Sequence, residues 1–259
     1  VDQTSLGEKI MAVWGVIPAR FGSTRFPGKP LAKIRGLELI AWVIRAAKTA
    51  RLLDQVVVAT DDSRIAEVAQ REGALPVMTD SNLPSGSDRV WAAIQNKNVD
   101  VVLNIQGDEP LITGNLIDSL IRPMLQDQNL EMATVAHPLS LEELQSENSV
   151  KVILNERSEA LYFSRYPIPY SREKASDEMI TGAMKHVGMY AYKASFLQKY
   201  CRQRPVEIET AEALEQLRAL YMGARIKVIL TDQRSWGVDV PSDIQMIEKI
   251  LQTQKDGGF

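Results

Sequence analysis

Apolar and polar positions follow two alternating periods along the first half of the chain. A short apolar run over 13–17 empties into a turn-rich stretch holding Pro18, Gly22, Pro27, Gly28 and Pro30, the pattern of a buried strand leading into a loop. From about Leu37 the spacing changes, and Leu39, Ile40, Val43, Ile44 and Ala47 share one helical face. The β-branched run QVVVAT predicts a second strand, closed by Asp61, Asp62 and Ser63, which suit a helix cap before SRIAEVAQREG; Gly73 stops that helix. A strand over 75–79, a loop DSNLPSGSD and a helix carrying Val90, Trp91 and Ile94 continue the series. The nearly continuous apolar run over 100–105 is what a parallel strand covered on both faces requires. This alternation predicts an α/β fold, a doubly wound and mostly parallel sheet of the Rossmann-like kind, with ligands beyond the carboxyl ends of its strands.

The pattern loosens after about Pro138. Strands are expected over 149–155, 160–163 and 186–192 without long helices between them, and 166–180 reads as a Pro-containing charged loop, which together suggest an inserted antiparallel lobe. Regularity returns with an amphipathic segment over 210–221, a strand over 225–231, the turn WGVDVPSD and a last helix with Pro241 in its first turn. The expected organisation is therefore a nucleotide-binding core over 11–137 and 204–259, an insert over 138–203 and a flexible tail over 1–10.

With 45% hydrophobic and 24% charged residues, the 259-residue chain has the make-up of an ordinary soluble globular protein. A net charge of −3 gives no overall field to attract a nucleic acid, so any anion site must be local. Cys201 is the only cysteine, which leaves no disulfide framework and fits a reducing cytoplasm; a zinc site built on His137 and His186 would also need carboxylates. No run reaches the roughly eighteen apolar residues of a membrane span. The opening VDQTSLGEKI lacks the order of a signal peptide.

The candidate chemistry begins in the first loop, where Arg20, Arg25 and Lys29 stand with no acid among them. A strand, a glycine-bearing cationic loop and a helix bring backbone amides and positive charge to one place, a site for a polyphosphate. Gly22 and Gly28 enclose five residues and Lys29 is followed by Pro30, so the loop is not of the Walker type, and no G-x-G-x-x-G fingerprint is present. The segment QGDEP follows the 100–105 strand, which puts Asp108 at the same sheet edge, where a carboxylate suits magnesium. Asp239 lies in a later turn flanked by Gly and Pro residues. Taken singly, either acid is ordinary turn chemistry. With the cationic loop they imply a metal–triphosphate site.

IPARFGSTRFPGKPL, the TDD after the second strand, SGSDR, QGDEP, LYFSR, HVGMYAY, LEQLR and GVDVP, in this order over 13–251, resemble the 3-deoxy-manno-octulosonate (Kdo) cytidylyltransferases, the CMP-Kdo synthetase family. CMP-sialic acid synthetases have a related first loop but usually read IPAR-x-G-S-K-G-I. The resemblance implies transfer of CMP from CTP to the anomeric hydroxyl of Kdo with loss of pyrophosphate, in lipopolysaccharide biosynthesis. It implies that Arg20, Lys29 and Asp108 are catalytic, and that Ala19, Ser23, Arg25, Ser85, Gly86 and Arg89 join them in binding CTP. Asp108 and Asp239 would hold Mg2+. Gln106, Arg165, His186, Tyr190, Glu215 and Gln216 would face the sugar acid, with the Arg165 fork suited to its carboxylate. The insert would carry the sugar pocket and the contact of a homodimer. Ser87 and Asp88 depart from the commoner S-G-T-E-R of the family, as do Val240 and Ser242 from the usual sequence after G-V-D. Other readings are a cytidylyltransferase for 8-amino Kdo or a sialic acid, and a nucleotide-binding protein without turnover.

Overall fold

The computed structural model describes residues 11–22, 25–170 and 182–256. The chain opens with β1 (Val13–Ala19), the cationic loop, and a two-residue hairpin of β2 (Lys33–Ile34) and β3 (Leu37–Glu38). There follow α1 (Leu39–Ala47), β4 (Gln55–Thr60), α2 (Ser63–Arg71), β5 (Leu75–Met78), α3 (Gly86–Ile94) and β6 (Val101–Asn104). Next come α4 (Gly114–Gln126), β7 (Met132–His137), α5 (Leu141–Gln145), β8 (Lys151–Leu154) and β9 (Ala160–Ser164). The rest is β10 (Ala183–Lys193), α6 (Ala194–Arg202), α7 (Glu207–Glu212), α8 (Gln216–Tyr221), β11 (Ile226–Leu230) and α9 (Pro241–Asp256).

The main sheet runs β11-β7-β10-β6-β1-β4-β5. Its pairs are parallel except those of β10, which lies antiparallel to both β6 and β7. The alternation of apolar residues is explained by burial on two faces. Val13, Ile17, Val56, Val58, Val101 and Leu103 pack against α1, α2 and α4. Val16, Val57, Ala59 and Val102 pack on the other side with residues of α3, α6 and α8. At full burial each of the valine, leucine and isoleucine side chains among these contributes about 1.5–3 kcal/mol, so both faces carry stability. From β1 the chain adds β4 and β5 on one side, then crosses to β6 on the other. The crevice beyond the ends of β1 and β6 is thus a topological switch point.

The expected antiparallel insert over 138–203 stands off the main sheet only in part. β10 belongs to the central sheet, and α6 packs on α3, so the antiparallel excursion is β8 and β9, attached to the first residues of β10. The reason is register: Tyr190–Lys193 pair with β6, whereas Ala183–Lys185 run past its end and take β8 instead. The expected helix over 210–221 is two helices, broken where Ala213 adopts φ 50°. The helix α4 and strand β7 were not among the predicted elements. The expected loop over 166–180 lies outside the described residues from 171 onward, as do the tail over 1–10 and Ser23.

Behind the sheet edge runs a row of rings, Phe163, His186, Tyr190, Tyr192 and Tyr200, with successive centroids 4.9–6.1 Å apart. His186 is buried in this row, and its Nε2 is 3.0 Å from Thr134 Oγ1. Burial pushes its imidazole from the usual 6.5 down to about 3, so it is neutral in the fold. A depressed histidine pKa gives stability that is present above the unfolded value and lost as pH falls. The unfolded chain takes up a proton below about 6.5 that the folded chain refuses until about 3. Urea unfolding from pH 7.5 to 4.5 should therefore show the His186→Gln variant losing less stability than the parent, by up to about 1.4 kcal/mol per pH unit. Parallel pH profiles would mean that His186 is charged in the fold.

Candidate active site

The site is built by loops that leave the carboxyl ends of β1 and β6 and the turn that enters α9. After β1 the chain bends sharply: Gly28 has φ 71°, in the left-handed region, and its N–H donates to the Phe21 carbonyl at 3.0 Å. That closed loop presents Arg20, Arg25 and Lys29. After β6, Gly107 passes so close to β1 that an added Cβ would lie 3.1 Å from the Pro18 carbonyl oxygen. Glycine here is what lets Asp108 stand beside the first loop. Asp239 arrives from the other direction, its turn held by Asp243, whose carboxylate accepts from the Asp239 and Val240 amides at 2.7 and 2.9 Å. The Val238 N–H donates to the Asp108 carbonyl at 2.9 Å and fastens the two acidic turns together.

These parts enclose a cleft of about 330 Å³. Ala19, Arg20, Arg25, Lys29, Ser85, Gly86, Arg89, Gln106, Asp108 and Asp239 all line it, so the structure brings together every described residue expected to face CTP. Lys29 Nζ is 2.6 Å from Asp108 Oδ2 and 3.7 Å from Asp239 Oδ1. Arg25 lies on Asp239 through both guanidinium nitrogens at 3.2 Å. The opposite end is formed by the start of α3. Ser85 caps it by accepting from the Asp88 amide at 3.1 Å and donates to the Asp88 carboxylate at 2.6 Å. Arg89 is buried, its Nη1 donating to Thr79 Oγ1 at 2.6 Å, while Nη2 has no hydrogen-bond acceptor among the described residues and lies 3.7 Å from Asp61. A buried donor left open in this way suits the carbonyl or ring nitrogen of a base.

A second, more open cleft of about 340 Å³ adjoins the first. Gln106, Tyr190 and Glu215 line it together with Glu109, Gly188 and Gly237, and it shares Gln106, Asp108 and Asp239 with the first. A bulge in β10 between Val187 and Tyr190 makes this space, and the Gly188 carbonyl it releases accepts from Gln106 Nε2 at 2.7 Å. Burial raises the carboxyl pKa of Glu215, opposed by its hydrogen bond with Ser87. Glu109 was not anticipated as part of the site. Burial and the adjacent Asp108 push it up to about 7, against a hydrogen bond with Ser235 and the charge of Lys185. Its position beside Asp108 was the only sequence signal, and turn chemistry accounts for that equally well.

Three residues expected to face the sugar acid line neither cleft. His186 is a neutral ring in the row behind Tyr190. Gln216 is buried, with Oε1 accepting from the Tyr190 hydroxyl at 3.2 Å. The Arg165 fork is already used: Nε donates to the Glu212 carbonyl at 2.9 Å, Nη1 to that of Glu147 at 3.1 Å and Nη2 to that of Ala213 at 3.4 Å. Arg165 thus pins the break between α7 and α8, two residues before Glu215. Its planar fork matches carbonyls that a helix end leaves open.

Asp108 and Asp239 fit a magnesium ion on the chemistry of their donors. No group of three acids, histidines or cysteines able to hold a metal occurs among the described residues. Magnesium needs no such cage, since it is commonly held by one or two carboxylates and completed by phosphates and water. The Lys29 ammonium beside both carboxylates marks the same space as one for positive charge.

Residues 14–226 match the family model described as cytidylyltransferase. The chain is 57% identical over 245 residues to the 3-deoxy-manno-octulosonate cytidylyltransferase of Bdellovibrio bacteriovorus, covering 94% of this chain and 99% of the relative. It is 46% identical to the enzyme of that name from an Anaeromyxobacter species, covering 91% and 95%. Among solved structures it resembles CMP:2-keto-3-deoxy-manno-octonic acid synthetase complexed with CTP, with a TM-score of 0.88, 37% identity and coverage of 94% and 99%. A cytidylyltransferase from Leptospira borgpetersenii, at 17% identity and a TM-score of 0.63, shares the fold. The doubly wound sheet is thus that of a known architecture, and the chain belongs to the 3-deoxy-manno-octulosonate cytidylyltransferase family.

Proposed function

We propose that the protein activates Kdo by moving CMP from CTP to its anomeric hydroxyl. The hydroxyl oxygen forms a bond to the α-phosphorus, the bond from that phosphorus to the bridging oxygen breaks, pyrophosphate leaves and the hydroxyl proton is released. The observation that carries this reading is the meeting of two clefts at Gln106, Asp108 and Asp239. A triphosphate in one and a sugar acid in the other would have their reacting atoms at that junction. Catalysis of this kind needs alignment and charge stabilisation more than a covalent intermediate.

Arg20 and Lys29 would hold the triphosphate and stabilise the charge that develops on the leaving pyrophosphate. Ser85, Gly86 and Arg89, with the backbone at Ala19, would take the cytidine, and Arg89 Nη2 offers the open donor for the base. Gln106, Tyr190 and Glu215 would meet the sugar acid. Arg165, His186 and Gln216 would act through these residues by setting the α8 turn and the Tyr190 ring. Bound at Asp108 and Asp239, magnesium would neutralise phosphate charge and make the sugar hydroxyl more acidic.

No described helix is long and apolar enough to cross a membrane. Supply of CTP argues for the cytoplasm. A homodimer would form through β9, where Leu161 and Tyr162 are exposed, and α8, which packs on β9 and exposes Tyr221.

Purified protein should release pyrophosphate from CTP with Kdo only when magnesium is present. Release without a sugar acid, or with chelator, would exclude this reaction. Comparing Kdo with 8-amino Kdo and sialic acid at equal concentration identifies the preferred acid, with Kdo expected to be used fastest. Lys29→Ala and Asp108→Asn should each lower kcat by at least about 100-fold with the unfolding midpoint little changed. Unfolded variants would instead mean that the Lys29–Asp108 pair is structural. Tyr190→Phe and Glu215→Gln should raise the KM for the sugar acid about tenfold and leave that for CTP nearly unchanged. A change confined to CTP would remove both from the sugar cleft.

A further inference from the structure

Arg25 is held by its target in an unexpected way. Its side chain is 68% exposed, yet Nη1 lies 3.2 Å from Asp239 Oδ2 and Nη2 lies 3.2 Å from Oδ1, so the fork covers both carboxylate oxygens. Lys29 adds a contact of 3.7 Å to Oδ1 but is bound chiefly to Asp108, at 2.6 Å and with only 15% of its side chain exposed. The two cations therefore differ in exposure: Lys29 is largely buried, Arg25 is an exposed arm. A divalent ion shared by Asp108 and Asp239 would compete with Arg25 for the oxygens of Asp239. Arg25 also lines the cleft in which the triphosphate would lie.

We propose that Arg25 is an exchange latch for the metal site. It pairs with Asp239 in competition with a metal; when CTP binds it moves to the phosphates and releases Asp239 to the metal. The inference rests on Asp108 and Asp239 being the magnesium ligands, as proposed above. A guanidinium fork matches carboxylate and phosphate oxygens equally well, which lets one side chain serve both partners. Exposure keeps the present pair weak. Its effect on a competing equilibrium is at most about fivefold, equivalent to about 1 kcal/mol, so a triphosphate can draw the arm away. The metal then binds poorly alone and better with nucleotide, and by reciprocity the nucleotide gains from the metal. That order prevents a cation from settling on the carboxylates before the phosphates it must bridge are present.

Manganese serves as a paramagnetic probe, titrated by electron paramagnetic resonance into the nucleotide-free full chain. Arg25→Gln should bind it about fivefold more tightly than the parent. Arg20→Gln removes the same charge from the same cleft but no contact with Asp239, and should gain less than about twofold. With a CTP analogue bridged by a methylene between the α and β phosphorus atoms, manganese affinity should rise in the parent and rise less in Arg25→Gln. Equal manganese affinity in Arg25→Gln and the parent, or an equal gain in Arg20→Gln, overturns the latch. Failure of the parent to bind manganese even with the analogue instead refutes the two aspartates as metal ligands, and the latch with them.

Discussion

Two carboxylates on one sheet edge repel unless positive charge lies between them, and Lys29 supplies it, 2.6 Å from Asp108 and 3.7 Å from Asp239. Much of the surrounding structure serves to keep that arrangement. The cationic loop and the Asp239 turn are joined by an apolar cluster in which Ile34, Leu39, Val238 and Ile247 are buried against Phe26, Trp42 and Trp236. The helix α9 takes part through Ile247, and its Glu248 accepts from the Arg35 amide at 2.8 Å. The loop and the turn are thus held together chiefly by apolar packing. A cavity in the cluster would be felt at the carboxylates, because close-packed interiors transmit small displacements.

The second constraint is the direction of β10. A parallel strand beside β6 would have sent its carboxyl end to the same edge and left room for one ligand. Running antiparallel, β10 instead brings its early residues past the end of β6, where they receive β8 on the flank that β6 has vacated. The bulge before Tyr190 then opens a second cleft against the first. The row of rings behind Tyr190 makes that wall stiff, and neutral His186 adds polar contact without bringing a charge into the core.

The nucleotide side was legible in the sequence where its chemistry is local. Arg20, Arg25 and Lys29 fall within one loop and could be grouped from spacing, whereas Ser85, Gly86 and Arg89 were expected there only from the family resemblance, and the fold is what brings the two segments to one cleft. The parallel strands were legible for a similar reason, since burial on both faces leaves runs such as QVVVAT. The sugar side depends on contacts that spacing does not reveal. Arg165 meets the carbonyls of Glu212 and Ala213 across 47 and 48 residues of sequence, and nothing in LYFSR distinguishes an arginine awaiting a ligand from one spent on a helix end. β10 was placed too far out because an antiparallel central strand and a strand of an inserted lobe have the same apolar alternation. The break at Ala213 was hidden by a pattern that suits one continuous helix.

The residues at positions 87 and 88, which depart from the commoner S-G-T-E-R, lie at the boundary of the two clefts and face opposite ways. Asp88 turns back to receive the Ser85 hydroxyl at 2.6 Å, so its short side chain completes the first turn of α3. Ser87 points the other way. It is fully buried, and its hydroxyl lies 3.2 Å from Glu215 Oε2 and 3.4 Å from the Tyr192 hydroxyl. Since Ser87 belongs to the helix whose first residues line the first cleft and Glu215 lines the second, that hydroxyl joins the walls of the two clefts, as the Gln106 hydrogen bond to the Gly188 carbonyl also does.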